Sequence, residues 1–363
     1  MKKIVVIKIG SSVIAPLGRI DSALVKNLVK DIHKAKKLGF KVLLVTSGAI
    51  ACGLGALGYK RKPNNICSLM AISSFGQILL MDLFNKHFRL NRGKCAQILL
   101  TWDDFNYRMR FLNIKKTLEK LLSLGIVPII NENDVVSHQE IRWGDNDYLS
   151  ALVADLADAN QLILLSDVEG LFKGKELVKR VEKIDETIES LVRKQIKTHT
   201  SGGMETKLEA ATKATLSGIK TRIVSGRKKN VILDIIRGKD IGTFFVPVKN
   251  KEKSRKRWIH SKQIKGVITI DEGAKAALLN KGKSLLGVGV CQVSETFRRG
   301  DAVAVVDQKD NIVGTGIANY DWIDLREKKR LEKEVIHRDN FVKAALGWSY
   351  HPYHRFIKKK KPR

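Results

Sequence analysis

Lys8 closes an apolar run and is followed at once by Ile9-Gly10-Ser11-Ser12. A strand running into a Gly-Ser turn aims a lysine and several backbone N–H groups at one place, which suits an anion. The spacing is not GxxxxGK[ST], so a Walker-type P-loop is excluded. A second such turn, Ser201-Gly202-Gly203-Met204-Glu205-Thr206-Lys207, opens a helix and sets another lysine in its first turn. There the helix N-terminus and the ammonium both favour phosphate oxygens. Ser47, in Thr46-Ser47-Gly48-Ala49, heads a turn of small residues through which backbone can approach a ligand closely; its hydroxyl suits a carboxylate. Asn131-Glu132-Asn133-Asp134, and after it Gly144-Asp145-Asn146-Asp147, are acidic clusters too polar for a core. They suit an ammonium group or Mg²⁺-linked charge, although Asp147 also reads as a plain helix cap. Ser166-Asp167-Val168-Glu169-Gly170-Leu171 adds a turn suited to a nucleotide edge. Each turn alone is equally an ordinary βα connection. Two lysines, two glycine turns and several acids on one rim make a phosphoryl-transfer site, where the protein mainly positions groups and neutralises charge.

The elements that must hold these turns are legible as period and run length. Ile4–Lys8, Val42–Thr46, Ala96–Leu100, Ile126–Ile130, Leu162–Leu165 and Thr221–Val224 are continuous apolar runs rich in β-branched residues. Such runs indicate strands covered on both faces. Helical patterns over Asp21–Leu38, Ile66–Phe88, Phe111–Leu124, Asp147–Leu156 and Met204–Ser217 separate them, with Asp21 as an N-cap. Strand–helix alternation predicts a mostly parallel α/β sheet whose ligands lie beyond the carboxyl ends of the strands.

The texture changes near Lys249. A charged stretch over 249–263 reads as a basic linker. Short strand patterns follow at Gly266–Ile270, Gly287–Val293, Ala302–Val306 and Ile312–Ala318, with a helix at Asp271–Asn280, predicting a small β-rich domain. The division is 1–248, 249–263, 264–350, and a basic tail over 351–363. Of the 363 residues, Lys and Arg number 67 against 37 Asp and Glu. The charge is spread over both parts: 40 basic and 24 acidic side chains before residue 249, and 27 and 13 from there on. Such density attracts polyanions, or reflects a lysine-rich composition. The four cysteines form no CxxC pair, which fits a reduced, cytoplasmic setting. No run of about 18 uncharged apolar residues is present, so no membrane span is expected.

Taken in order, KIGSSV, VTSGAIACG, PIINENDVV, GDNDYLSA, LLSDVEGL and SGGMETK resemble the amino acid kinase family, and within it the members that phosphorylate the side chain of glutamate. RKRWI, TIDEGA and VIHRDNF extend the likeness through a C-terminal part similar to a PUA domain, a module of RNA-modifying enzymes. The resemblance implies a three-layer α/β/α sandwich with ATP and Mg²⁺ as cofactors. It implies that Lys8 and Lys207 contact the transferred phosphoryl group, and that Asp145 holds them. Ser47, Asp134 and Asn146 become glutamate contacts. Ser166, Asp167, Ser201, Gly202, Gly203, Met204, Glu205, Thr206 and Lys207 become ATP-binding residues. It implies no metal held by protein residues alone. It further implies proline as feedback inhibitor, a homo-oligomer, hand-over of the product to glutamyl phosphate reductase, and RNA contact by the PUA-like part. The chain departs from the family pattern after Leu171, where Phe172-Lys173-Gly174-Lys175-Glu176 replaces a tyrosine and Asp-Pro stretch. Rival readings are an acceptor such as aspartate or N-acetylglutamate, or an RNA-binding protein with a vestigial kinase domain.

Overall fold

The computed structural model describes residues 3–16, 19–136, 146–198, 203–248, 254–262, 264–294, 296–327 and 331–344. The chain divides into two compact units, Met1–Lys251 and Glu252–Arg363.

The first unit is built on strands β1 (Ile4–Ile9), β2 (Lys41–Thr46), β3 (Cys95–Leu100), β4 (Val127–Glu132) and β5 (Gln161–Ser166). A separate hairpin follows, β6 (Phe172–Lys173) and β7 (Glu176–Leu177), turning through Gly174 at φ 63°. It occupies the stretch where the sequence leaves the family pattern. The main sheet then takes β8 (Arg180–Val181), β9 (Lys220–Ser225) and β10 (Thr243–Phe245). Its order is β3-β4-β2-β1-β5-β9-β10-β8. The six strands expected from sequence are mutually parallel, and β10 runs antiparallel to β9. The two edge additions, of two and three residues, are too short to leave a periodic signal.

Pleat parity sorts the strand residues between two faces. Val5, Ile7 and Ile9 of β1 join Val42, Leu44, Ile163 and Leu165 in one core, roofed by the helices Ser22–Lys37, Ile66–Leu90 and Val231–Ile236. Val6 and Lys8 therefore point the other way, where the helices Asp147–Leu156 and Gly203–Leu216 pack on each other and on β1, β5 and β9. Helices thus cover both faces, giving three layers. Asp21 caps its helix by accepting from the Leu24 N–H at 2.9 Å.

The helix Ile66–Leu90 is long and apolar enough, by length and composition, to cross a membrane. Here its Leu69, Ile72, Leu80, Phe84 and Phe88 are buried. It crosses the helix Ala49–Ala56 at backbone contact: a Cβ on Gly76 would stand 1.9 Å from the Ala49 carbonyl oxygen and 2.4 Å from the Gly53 nitrogen.

The second unit holds β11 (Ile264–Ile270), β12 (Val290–Val293), β13 (Ala302–Asp307), β14 (Ile312–Ile317) and β15 (Phe341–Lys343), in the order β12-β11-β13-β14-β15. Only β11 and β13 are parallel among these pairs. The stretch read as a linker contains a helix, Ser254–Ser261, that belongs to this unit. Arg257 and Ile259 are buried, and Arg255 Nε donates to Asn340 Oδ1 at 3.0 Å. Its many charges conceal from the sequence that one side packs. The tail over 351–363 lies outside the described residues.

Asp307, at the end of β13, sits in a tight cradle. Burial alone would raise its pKa, but Lys275 Nζ at 2.8 Å, the Asn311 side chain, and the Asn311 and Lys309 backbone N–H groups outweigh it and hold the carboxyl well below the usual range.

Two predictions follow from packing and charge. Gly76→Ala should destabilise the first unit by about 1–3 kcal/mol, read as a lowered Tm. Gly55→Ala, where a Cβ meets nothing within 4 Å, should be neutral or slightly stabilising; equal Tm values for the two variants would refute the close crossing. For Asp307, a depressed folded pKa means stability present above the unfolded carboxylate pKa and lost as pH falls. The Tm deficit of Asp307→Asn should be full at pH 7 and shrink below about pH 4.

Candidate active site

Strand parity decides the first functional side chain. Lys8 follows Ile7 and precedes Ile9, which both enter the core under the helix Ser22–Lys37, so Lys8 enters the opposite layer. It is only 2 % exposed there. Its Nζ meets Asp147 Oδ1 at 2.5 Å. Asp147 is fully buried at the first turn of its helix, and its other oxygen, Oδ2, lies 3.1 Å from Lys207 Nζ. Thr206 Oγ1 donates to the same Oδ2 at 3.1 Å. One carboxylate therefore spans two ammonium groups from opposite ends of the unit, at the carboxyl end of β1.

Asp147 is not a helix cap: Asn146 occupies the cap position, and the Asp147 side chain is directed at the lysines. Asp145, the acid that the resemblance puts between the lysines, lies outside the described residues, as do Ser201 and Gly202. The sequence signal for Asp147 was the composition of its helix. Every residue of Asp147–Leu156 is buried, and an acid opening such a helix must find cations inside the protein.

Two helices carry this arrangement, and a second buried ion pair holds them together. Lys213 Nζ meets Asp155 Oδ2 at 3.2 Å, six and eight residues beyond Lys207 and Asp147. Space beside the ammonium groups is kept by glycine. A Cβ on Gly10 would come within 3.4 Å of Lys8 Nζ, and one on Gly203 within 3.3 Å of Lys207 Nζ. Lys207 Nζ also donates to the Gly203 carbonyl at 2.8 Å, folding the side chain back over its own helix start. Met204 is buried, while Glu205 and Thr206 are half-buried.

The neighbouring strand ends form a polar network. Asn146 Nδ2 donates to the Thr46 carbonyl at 2.5 Å and to Asn131 Oδ1 at 2.7 Å, with Ser47 Oγ at 3.3 Å. Gly48 carries the turn after Ser47 at φ 112°, and a Cβ there would press on Ile14 and Ile20. Asn131 Nδ2 donates to Gln77 Oε1 at 2.8 Å. Asp134 accepts a short hydrogen bond from Ser73 Oγ. Ser47 and Asn146 are thus linked to Gln77 through Asn131, and Asp134 is bonded to Ser73. Ser73 and Gln77 are both buried, four residues apart on the helix Ile66–Leu90. On the other side of β1, Ser166 is buried at the end of β5 and bonded to the exposed Asp167 at 3.1 Å. Gly226, after β9, donates to the Ser166 carbonyl at 2.8 Å.

The site therefore lies on the carboxyl rim of β1, β2, β4 and β5, where the strand order reverses about β1. It joins a cationic centre to a buried network of side-chain amides. Residues 3–225 match the amino acid kinase family, and residues 266–338 match the PUA domain. The chain belongs to the amino acid kinase family. It is 42% identical over 362 residues to the glutamate 5-kinase of Syntrophotalea carbinolica, covering 94% of this chain and 97% of that one. It is 38% identical to the glutamate 5-kinase of Caldanaerobacter subterraneus subsp. tengcongensis, over 95% and 99% of the two chains. A solved structure of Giardia carbamate kinase aligns with 68% of this chain and 99% of its own, at 19% identity and a TM-score of 0.47.

In Asp147→Asn the two lysines lose their shared counter-charge. Breaking a buried pair this way costs about 3–5 kcal/mol. The variant's Tm at pH 7 should therefore fall well below that of the native chain, read by thermal unfolding. An unchanged Tm would show that the carboxylate does not hold the two lysines' elements together.

Proposed function

We infer that this chain transfers the γ-phosphoryl group of ATP to the side-chain carboxylate of L-glutamate, forming ADP and γ-glutamyl phosphate, the first step toward proline. The observation that carries the reading is the buried Lys8–Asp147–Lys207 arrangement, at 2.5 and 3.1 Å, beside the amide pocket of Asn131 and Asn146. The near-full-length likeness to two glutamate 5-kinases supports the choice of acceptor.

A carboxylate is already ionised at neutral pH, so a γ-carboxylate oxygen attacks without a general base. The barrier is repulsion between that carboxylate and the triphosphate. Lys8 and Lys207 offset it, and Asp147 keeps both ammonium groups aimed before substrate arrives, so little reorganisation remains. Asp134 takes the α-ammonium of glutamate, while Ser47 and Asn146 orient it. Ser166, Asp167 and the segment 201–207 bind ATP. Mg²⁺ belongs to this reading as an ion on the phosphate oxygens of ATP, where it neutralises charge. Among the described residues there is no cluster of three acids, histidines or cysteines for it, and Asp147 already faces two lysines. The reading also has proline competing with glutamate, because the two share an α-carboxylate and an α-nitrogen. It includes a homo-oligomer in the cytoplasm and hand-over of the labile acyl phosphate to glutamyl phosphate reductase. RNA contact by the second unit rests on its PUA match and its basic charge.

The test is hydroxylamine trapping with ATP and a panel of acceptors. Hydroxamate should form with glutamate and far more slowly with aspartate, whose shorter side chain misplaces the oxygen; faster turnover with aspartate or N-acetylglutamate would overturn the assignment. Lys207→Met should lower kcat by about 10²–10³ with little change in the KM for ATP. The double variant with Lys8→Met should lose less than the product of the single losses. Near-normal kcat with a raised KM for ATP would reduce Lys207 to nucleotide binding.

A further inference from the structure

Gln77 is 8 % exposed on the helix Ile66–Leu90. The direction of its amide follows from bonds that start at an atom with one possible role. The Thr46 carbonyl oxygen only accepts, so Asn146 turns Nδ2 toward it, at 2.5 Å. That Nδ2 also donates to Asn131 Oδ1 at 2.7 Å, and the Glu132 backbone N–H, at 3.0 Å, donates to the same oxygen. Asn131 consequently presents Nδ2 to its other neighbour, Gln77 Oε1, at 2.8 Å. With its oxygen engaged there, Gln77 points Nε2 and two hydrogens away from Asn131. Among the described residues this buried nitrogen has no hydrogen-bond partner. Buried donors are rarely left unmet, because the desolvation of the group then goes uncompensated.

What it faces is indicated by its helical neighbour. Ser73, one turn earlier on the same face, donates to Asp134, the carboxylate assigned above to the α-ammonium of the acceptor. In any α-amino acid the carboxylate stands on the carbon that bears the ammonium. We propose that Gln77 Nε2 donates to the α-carboxylate of the acceptor amino acid and makes Gln77 a specificity-determining residue for a free α-carboxyl group. The proposal rests on the glutamate reading. It gives the helix two jobs: Ser73 steadies the acid for one end of the α-carbon, and Gln77 supplies the donor for the other.

The test uses the full chain with glutamate and with L-isoglutamine, whose α-carboxyl is an amide and whose γ-carboxylate is free. Gln77→Glu keeps the shape and the acceptor for Asn131 Nδ2 but sets a carboxylate against the substrate's carboxylate. The KM for glutamate should rise about 10²-fold, with kcat and the KM for ATP little changed. The ratio of kcat/KM for glutamate over isoglutamine should fall at least tenfold. Gln77→Met, checked by thermal unfolding, should lower the same ratio toward one, and it serves if the glutamate variant does not fold. A wild-type KM in Gln77→Glu, or a Gln77→Met variant that loses both substrates equally, would mean that Gln77 only braces Asn131, and would overturn the proposal. A wild-type chain without glutamate-dependent turnover would overturn the functional reading itself, and this inference with it.

Discussion

A carboxylate with no exposure to water must be met by opposite charge inside the protein, and Asp147 is met twice. Much of the first unit can be understood as the scaffold that satisfies this demand. Lys8 reaches Asp147 only because β1 presents alternate residues to opposite layers; a one-residue slip would bury its ammonium among Val25, Val29 and Ile32 instead. Lys207 reaches it only because the helix Gly203–Leu216 runs beside Asp147–Leu156, a pairing secured farther along by Lys213 and Asp155.

Asn146 and Asp147 are consecutive, yet they face different partners. Asn146 binds the ends of β2 and β4, while Asp147 binds the lysines. The peptide unit between them fixes the distance from the amide pocket to the cationic centre. In the proposed reaction these are the acceptor side and the transfer side, so a single helix start aligns attacking oxygen with phosphorus. The close crossing of Gly53 and Gly76 has a similar effect at the pocket wall. It brings the helix bearing Ser73 and Gln77 near enough for single hydrogen bonds to span the gap.

The second unit is held by different means. Its sheet is mostly antiparallel, and its charged groups find partners within the unit, as at Asp307, met by Lys275, Lys309 and Asn311. Lys262, whose pKa is lowered by burial, stands over the Trp258 ring at 5.0 Å and donates to the Gly300 carbonyl. Such self-contained satisfaction is typical of a small domain with its own core.

The sequence by itself determined the order of the main strands and helices, the N-cap at Asp21, the turns bearing Lys8 and Lys207, and the class of chemistry. All of these are local patterns, written in run length, period and turn residues. It offered Asp147 as a helix cap and, by resemblance, Asp145 as the acid between the lysines; that Asp147 reaches both follows from where its buried helix directs it. Gln77 was hidden because a lone glutamine in a helix acquires meaning only when Asn131 and Asn146 orient it, 54 and 69 residues away. The short strands β8 and β10 and the packed helix Ser254–Ser261 likewise depend on neighbours distant in sequence. Tertiary structure decided these points, because burial, orientation and pairing of polar groups are properties of contacts, and contacts between remote segments leave no period in the chain.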